Sequence, residues 1–99
     1  MKILWTQEAL ERLIEIEDFI SKDNPERAAQ FITEIIEHAE AVLPGGPRIG
    51  RTVPEISNPE IRELIFKKYR IVYRIDNNKV EILTVFEGHR LLRIDETGL

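Results

Sequence analysis

Ile61-Arg62-Glu63-Leu64-Ile65-Phe66, Tyr69-Arg70-Ile71-Val72-Tyr73-Arg74-Ile75 and Val80-Glu81-Ile82-Leu83-Thr84-Val85-Phe86 follow one another, with only Lys67-Lys68 and Asp76 to Lys79 between them. All three runs are rich in β-branched and aromatic residues, which suit a pleated, half-buried surface. Connections this short join neighbouring strands of opposite direction, so the stretch predicts a three-stranded antiparallel meander. In the middle strand Tyr69, Ile71, Tyr73 and Ile75 point one way, and Arg70, Val72 and Arg74 the other. With the strand registers aligned, Arg62 joins Arg70 and Arg74 on a solvated basic face, and Arg90 follows the last strand. The opposite face is left to bury against something else.

The cover lies upstream. Lys2 to Thr6 predicts a short first strand. Thr6 caps a helix that carries Ala9, Leu10, Leu13, Ile14, Ile16, Phe19 and Ile20 at helical spacing and runs to about Lys22. Asn24-Pro25 opens a second helix, with Ala28, Phe31, Ile32, Ile35, Ile36, Ala39, Val42 and Leu43 on its apolar side. Pro44-Gly45-Gly46-Pro47 ends that helix. Residues 44 to 59 lack periodicity and predict one ordered loop rather than a linker, because neither flank makes a core alone. The expected fold is α+β in the order β-α-α-β-β-β: a helical hairpin on a twisted antiparallel sheet, with strand one along an edge. Residues 1–99 are expected to form one domain.

At 99 residues, 42% hydrophobic and 32% charged, the composition is that of a globular chain rather than a disordered or fibrous one. No apolar run approaches the roughly 20 residues that span a bilayer, and no signal-peptide pattern opens the chain, so the expected compartment is the cytoplasm. The absence of cysteine excludes disulfides and thiolate chemistry. Two distant histidines, His38 and His89, do not make a metal site, and no cofactor is expected. Charge divides along the chain: residues 1–47 carry a net −6 and residues 48–99 a net +2. The overall −4 argues against strong sequence-independent attraction to nucleic acid.

The basic residues have a second explanation. Arg62, Arg70 and Arg74 can pair with Glu63, Glu81 or Glu87 on a merely solvated strand face. Arg48 and Arg51 either pin the loop through carboxylates or face a partner. Tyr69 and Tyr73 read as core or edge residues rather than base-stacking platforms. Gly45, Gly46 and Gly50 lack the strand–turn–helix context of a phosphate-cradling loop. Helix one has an unusually broad apolar stripe; either it touches both the sheet and its neighbouring helix, or Ile16 and Phe19 receive a partner.

From about Trp5 to Leu92 the chain resembles the RelE/ParE superfamily of toxins from bacterial type II toxin–antitoxin modules. The resemblance rests on Pro47-x-x-Gly50-Arg51-x-x-x-Glu55, Ile61-Arg62-Glu63-Leu64, Tyr69 to Arg74, Ile82-Leu83-x-Val85 and Gly88-x-Arg90. The loop and the long helical hairpin point to the ParE branch. That branch implies a plasmid-stabilisation toxin that inhibits DNA gyrase and is neutralised by a cognate, ParD-like antitoxin in a hetero-oligomer. The RelE branch implies a ribosome-dependent mRNA endonuclease, for which Arg62, Arg70 and Arg90 fall at the catalytic basic positions. Leu64 stands where that branch expects a lysine, and no tyrosine follows Tyr73. Always-protonated guanidinium is a poor proton shuttle, so a non-enzymatic toxin fits these residues better. A third possibility is a decayed toxin that only binds its antitoxin, since Glu87 and His89 flank Gly88 where ParE relatives often place histidine before the glycine. On the ParE reading, Arg62, Arg70, Arg74 and Arg90 form the target-facing surface, and Ile16 and Phe19 bind antitoxin. The acidic helical half predicts an antitoxin tail with basic residues among its apolar anchors.

Overall fold

The computed structural model describes residues 1–88. Strand β1 (Lys2–Trp5) passes directly into helix α1 (Gln7–Ser21) at Thr6, whose hydroxyl accepts the Ala9 N–H as an N-cap. Asn24 caps helix α2 (Pro25–Val42) in the same way by accepting from the Arg27 N–H, with Pro25 in the first turn. Beyond the hairpin come β2 (Arg51–Thr52), β3 (Ile61–Phe66), β4 (Tyr69–Asp76) and β5 (Lys79–Glu87). Among the described residues no helix is long and apolar enough to cross a membrane.

The strands form one five-stranded sheet in the order β1-β5-β4-β3-β2. The α+β class and the helical hairpin agree with expectation, but the sheet is mixed rather than antiparallel. β1 runs parallel to β5, pairing Lys2 with Lys79 through to Trp5 with Ile82. Thr6 holds this register: its N–H donates to the Ile82 carbonyl, and its hydroxyl lies 2.7 Å from that oxygen and 3.1 Å from the Leu83 oxygen. A pairing across more than seventy residues of chain leaves no local trace in composition. The two-residue β2 was also absent from the sequence-based expectation.

Two cores flank the sheet. On the helical side Ala9, Leu13, Phe31, Ile35, Ala39 and Leu43 pack against Leu64, Ile71, Tyr73, Val80, Ile82 and Val85. On the other side the loop after β2 folds back over the strands, so Val53 and Ile56 pack with Ile61, Val72, Leu83 and Phe86. This face is therefore covered, not solvated.

Register decides which arginine lies where. The turn at Lys67-Lys68 has two residues, so Phe66 pairs with Tyr69 and Arg62 with Tyr73. Partners across an antiparallel pair share a face. Arg62 consequently lies on the helical side with Tyr73, opposite Arg70 and Arg74. The expectation of three arginines on one face is corrected by this parity, which the length of the turn imposes.

Tyr73 and Arg62 organise the chain between α2 and β2. The Tyr73 hydroxyl donates to the Pro47 carbonyl at 2.6 Å and accepts from the Gly50 N–H at 3.0 Å. Arg62 donates to the carbonyls of Pro59 and Gly50, at 3.0 and 2.9 Å. Gly50 is so close that a Cβ there would overlap the Tyr73 hydroxyl and stand 2.6 Å from the Glu63 carbonyl oxygen. Gly50→Ala should therefore destabilise the protein by about 2 kcal/mol or more, through overpacking against backbone. Tyr73→Phe should cost roughly 1–3 kcal/mol by orphaning the buried Gly50 N–H. Urea unfolding midpoints check both, and an unchanged Gly50→Ala midpoint would refute this account of the loop.

Candidate functional site

The loop-covered face is held by an ion-pair network. Glu63, fully buried, receives Arg70 Nε on one carboxylate oxygen and Arg51 Nε on the other, each at 2.6 Å. Arg70, whose side chain is 5% exposed, also donates from both Nη atoms to Glu55 in the loop, at 2.9 and 2.8 Å. Its guanidinium carbon lies 4.9 Å from the centre of the Phe86 ring. The Glu55 carboxylate raises the Arg70 pKa above its ordinary value, burial opposes this, and Glu63 adds to the rise. Arg70 is thus permanently charged and fully engaged. Arg74, 36% exposed, pairs with its cross-strand neighbour Glu81 at 2.6 Å.

These positions revise the expected target-facing surface of Arg62, Arg70, Arg74 and Arg90. Arg70 is sealed between Glu63 and Glu55, Arg62 is spent on loop carbonyls across the sheet, and Arg74 is half-neutralised at the surface. Arg90 lies outside the described residues, as does His89. The alternative pairing holds for Arg70 with Glu63 and Arg74 with Glu81, but not for Arg62, which donates to backbone carbonyls instead. The resemblance-based catalytic set Arg62, Arg70 and Arg90 is therefore not assembled by the described residues, because Arg62 and Arg70 occupy opposite faces. Tyr73 offers no accessible proton either: it is fully buried, and burial raises its pKa, with the Gly50 N–H and nearby arginines opposing. Arg48 and Arg51 both pin the loop, Arg48 through Glu60 at 2.7 Å. Among the described residues no three potential metal-ligating side chains cluster.

The open surface is on the helical side. Ile16 packs partly buried against the core, whereas Phe19, on the flank of α1, is 67% exposed. Two adjoining clefts meet at Phe19, Lys68 and Tyr69, with volumes of about 420 and 410 Å³. One extends over Ile20 and Phe31 towards Arg27 and Lys67; the other passes Ile16, Val85 and Phe86 towards Arg12, Glu15 and Glu87. Ile16 and Phe19, singled out from the width of the helical stripe, thus line one groove. The rim cations Arg27, Lys67 and Lys68 were missed, because they come from α2 and from the β3–β4 turn. The two-residue turn was the available signal for Glu63 beside Arg70, since it puts residues of opposite parity on the same face.

A family model described as the ParE toxin of the type II toxin–antitoxin system parDE matches residues 3–92. The chain belongs to the ParE toxin family. Y4kP of Sinorhizobium fredii (strain NBRC 101917 / NGR234), named as a candidate toxin, is 39% identical to this ParE toxin over 93 residues, covering 90% of each chain. A solved structure described as the chromosomal ParDE TA system from P. aeruginosa matches its fold with a TM-score of 0.73 at 23% identity. That match covers 88% of this chain and 95% of the other. The buried network links residues of the motif that carries the resemblance: Gly50, Arg51 and Glu55 are each tied to β3 or β4.

Two ion pairs on the same sheet face should respond very differently. Glu63→Gln leaves Arg70 and Arg51 without their shared carboxylate and should destabilise this toxin by about 3–5 kcal/mol. Arg74→Ala removes a partly exposed pair and should cost about 1 kcal/mol or less. Thermal and urea unfolding measure the ordering, and equal losses would contradict the buried-network account.

Arg74, hydrogen-bonded to Glu81, lowers the Glu81 pKa below its ordinary value, although burial partly opposes it. A carboxylate whose folded pKa is depressed stabilises the fold above its unfolded pKa and loses that contribution as pH falls through the folded value. The stability difference between wild type and Arg74→Ala should therefore be constant above the ordinary glutamate range and shrink as the pH falls below it. Urea midpoints across that window read it out, and a difference that grows on acidification would reverse the sign.

Proposed function

We propose that this ParE-family toxin inhibits DNA gyrase in the cytoplasm and is held inactive by a cognate, ParD-like antitoxin seated against Ile16 and Phe19. The observation that carries the antitoxin contact is Phe19, an aromatic ring two-thirds exposed at the junction of two clefts. Exposed apolar surface of this kind on a small protein marks a place of association. Family membership supports the gyrase target. The commitment of Arg62 and Arg70 to internal partners weighs against the ribonuclease alternative, whose chemistry needs accessible cations and a proton shuttle at the scissile phosphate. Arg74 and Arg90 remain the arginines proposed to meet the target.

Expression without antitoxin should arrest growth, and purified toxin should abolish gyrase supercoiling while leaving mRNA on programmed ribosomes uncut. Intact supercoiling with cleaved mRNA would transfer the protein to the ribonuclease class; normal growth would mark a decayed toxin. Phe19→Ser should weaken antitoxin binding by about tenfold or more without lowering the unfolding midpoint, because the ring is exposed in the free toxin.

A further inference from the structure

The charge around the exposed groove is opposite in sign to that of the half-chain that builds most of it. Below Phe19 the cleft is floored by Ile20, Phe31 and Tyr69 and rimmed by Arg27, Lys67 and Lys68, with no carboxylate in its lining. Glu34 stands behind the rim, 3.3 Å from Arg27 Nη1 and 3.6 Å from Lys67 Nζ. Arg27 holds the Glu34 carboxyl below its ordinary range, so Glu34 is ionised at neutral pH and shared between two cations. Lys68 has no ion pair among the described residues. Three cations against one shared carboxylate leave the rim with an excess of about two positive charges beside an apolar floor.

Lys67 sharpens the point. Its φ of 55° is a left-handed conformation that glycine or asparagine takes at less cost. A lysine at this turn instead holds its ammonium 5.6 Å from the Phe31 ring centre and 5.8 Å from that of Phe66, along the wall of the cleft. Over both clefts Arg12, Arg27, Lys67 and Lys68 stand against Glu15, Glu34 and Glu87, which narrows the excess to about one positive charge. That excess lies at the Phe31 end, because Glu15 and Glu87 line only the far cleft.

We infer that this groove takes an acidic antitoxin segment, one with an aromatic or aliphatic anchor flanked by carboxylates. The inference rests on the proposal that the antitoxin occupies the groove, and it reverses the basic tail expected from the net charge of residues 1–47. That sum includes Glu11, Glu26, Glu37 and Glu40, exposed side chains that do not line the cleft. A bound segment feels the charges within a Debye length of its own atoms, about 8 Å at physiological salt, far more than distant ones.

The test uses the full-length toxin and two synthetic peptides with identical leucine and phenylalanine positions, spaced by glutamate in one and lysine in the other. Fluorescence anisotropy should show the glutamate peptide binding at least about tenfold tighter, with a preference that shrinks at high salt. The double variant Lys67→Glu/Lys68→Glu, whose exposed side chains leave the core intact, should lose or invert the preference, and Phe19→Ser should weaken both peptides. Equal binding, tighter binding of the lysine peptide, or binding of neither would overturn the inference. Failure here alongside neutralisation of growth arrest by the cognate antitoxin would remove only the charge assignment. Failure of neutralisation would remove the reading on which it rests.

Discussion

A glutamate with no exposed surface, in the middle of a strand, has to be answered by positive charge or the sheet does not form. Glu63 is that residue, and the answers come from both sides in sequence, Arg51 before it and Arg70 after it, while Arg70 is held in turn by the loop carboxylate of Glu55. Removing charges from water costs several kcal/mol each, and the mutual hydrogen bonds offset that only in this one geometry. The network therefore acts as a register device. It sets β2 beside β3, draws the loop down over Val72 and Phe86, and closes a second core built without helical residues.

That closure has a functional consequence. Arg70, sealed beneath the covering loop, is not part of a surface for meeting a macromolecule. It stabilises the scaffold, and the groove beside α1 is the exposed apolar concavity proposed to receive the antitoxin. Other cations gather at the groove instead: Lys67 and Lys68 from a turn, Arg27 from a helix.

Net charge and local charge also separate here. The helical half is strongly acidic in sum, yet most of its carboxylates do not line the groove, whose Phe31 end is positive. Long-range fields influence the approach of a partner, but close contacts select its side chains. On the proposed contact, a partner inferred from the sum alone would carry the wrong sign beside the Phe31 end of the groove.

Local pattern determined much of this protein. Apolar spacing in residues 9–43, the caps Thr6 and Asn24, and the β-branched runs after Ile61 made the helical hairpin, the meander and the α+β class legible, because each depends on neighbours a few residues apart. The width of the α1 stripe likewise exposed Ile16 and Phe19, since a helix with apolar residues on more than one side has more to bury than one sheet can take. The parallel seat of β1 against β5, the position of Arg62 behind the sheet, and the sealing of Arg70 were decided by tertiary structure. Each depends on which distant residues become neighbours, and burial alone turns an arginine from a solvated contact into a strut. The two-residue turn at Lys67-Lys68 carried the parity that places Arg62, but only pairing with Tyr73 turned that parity into a face.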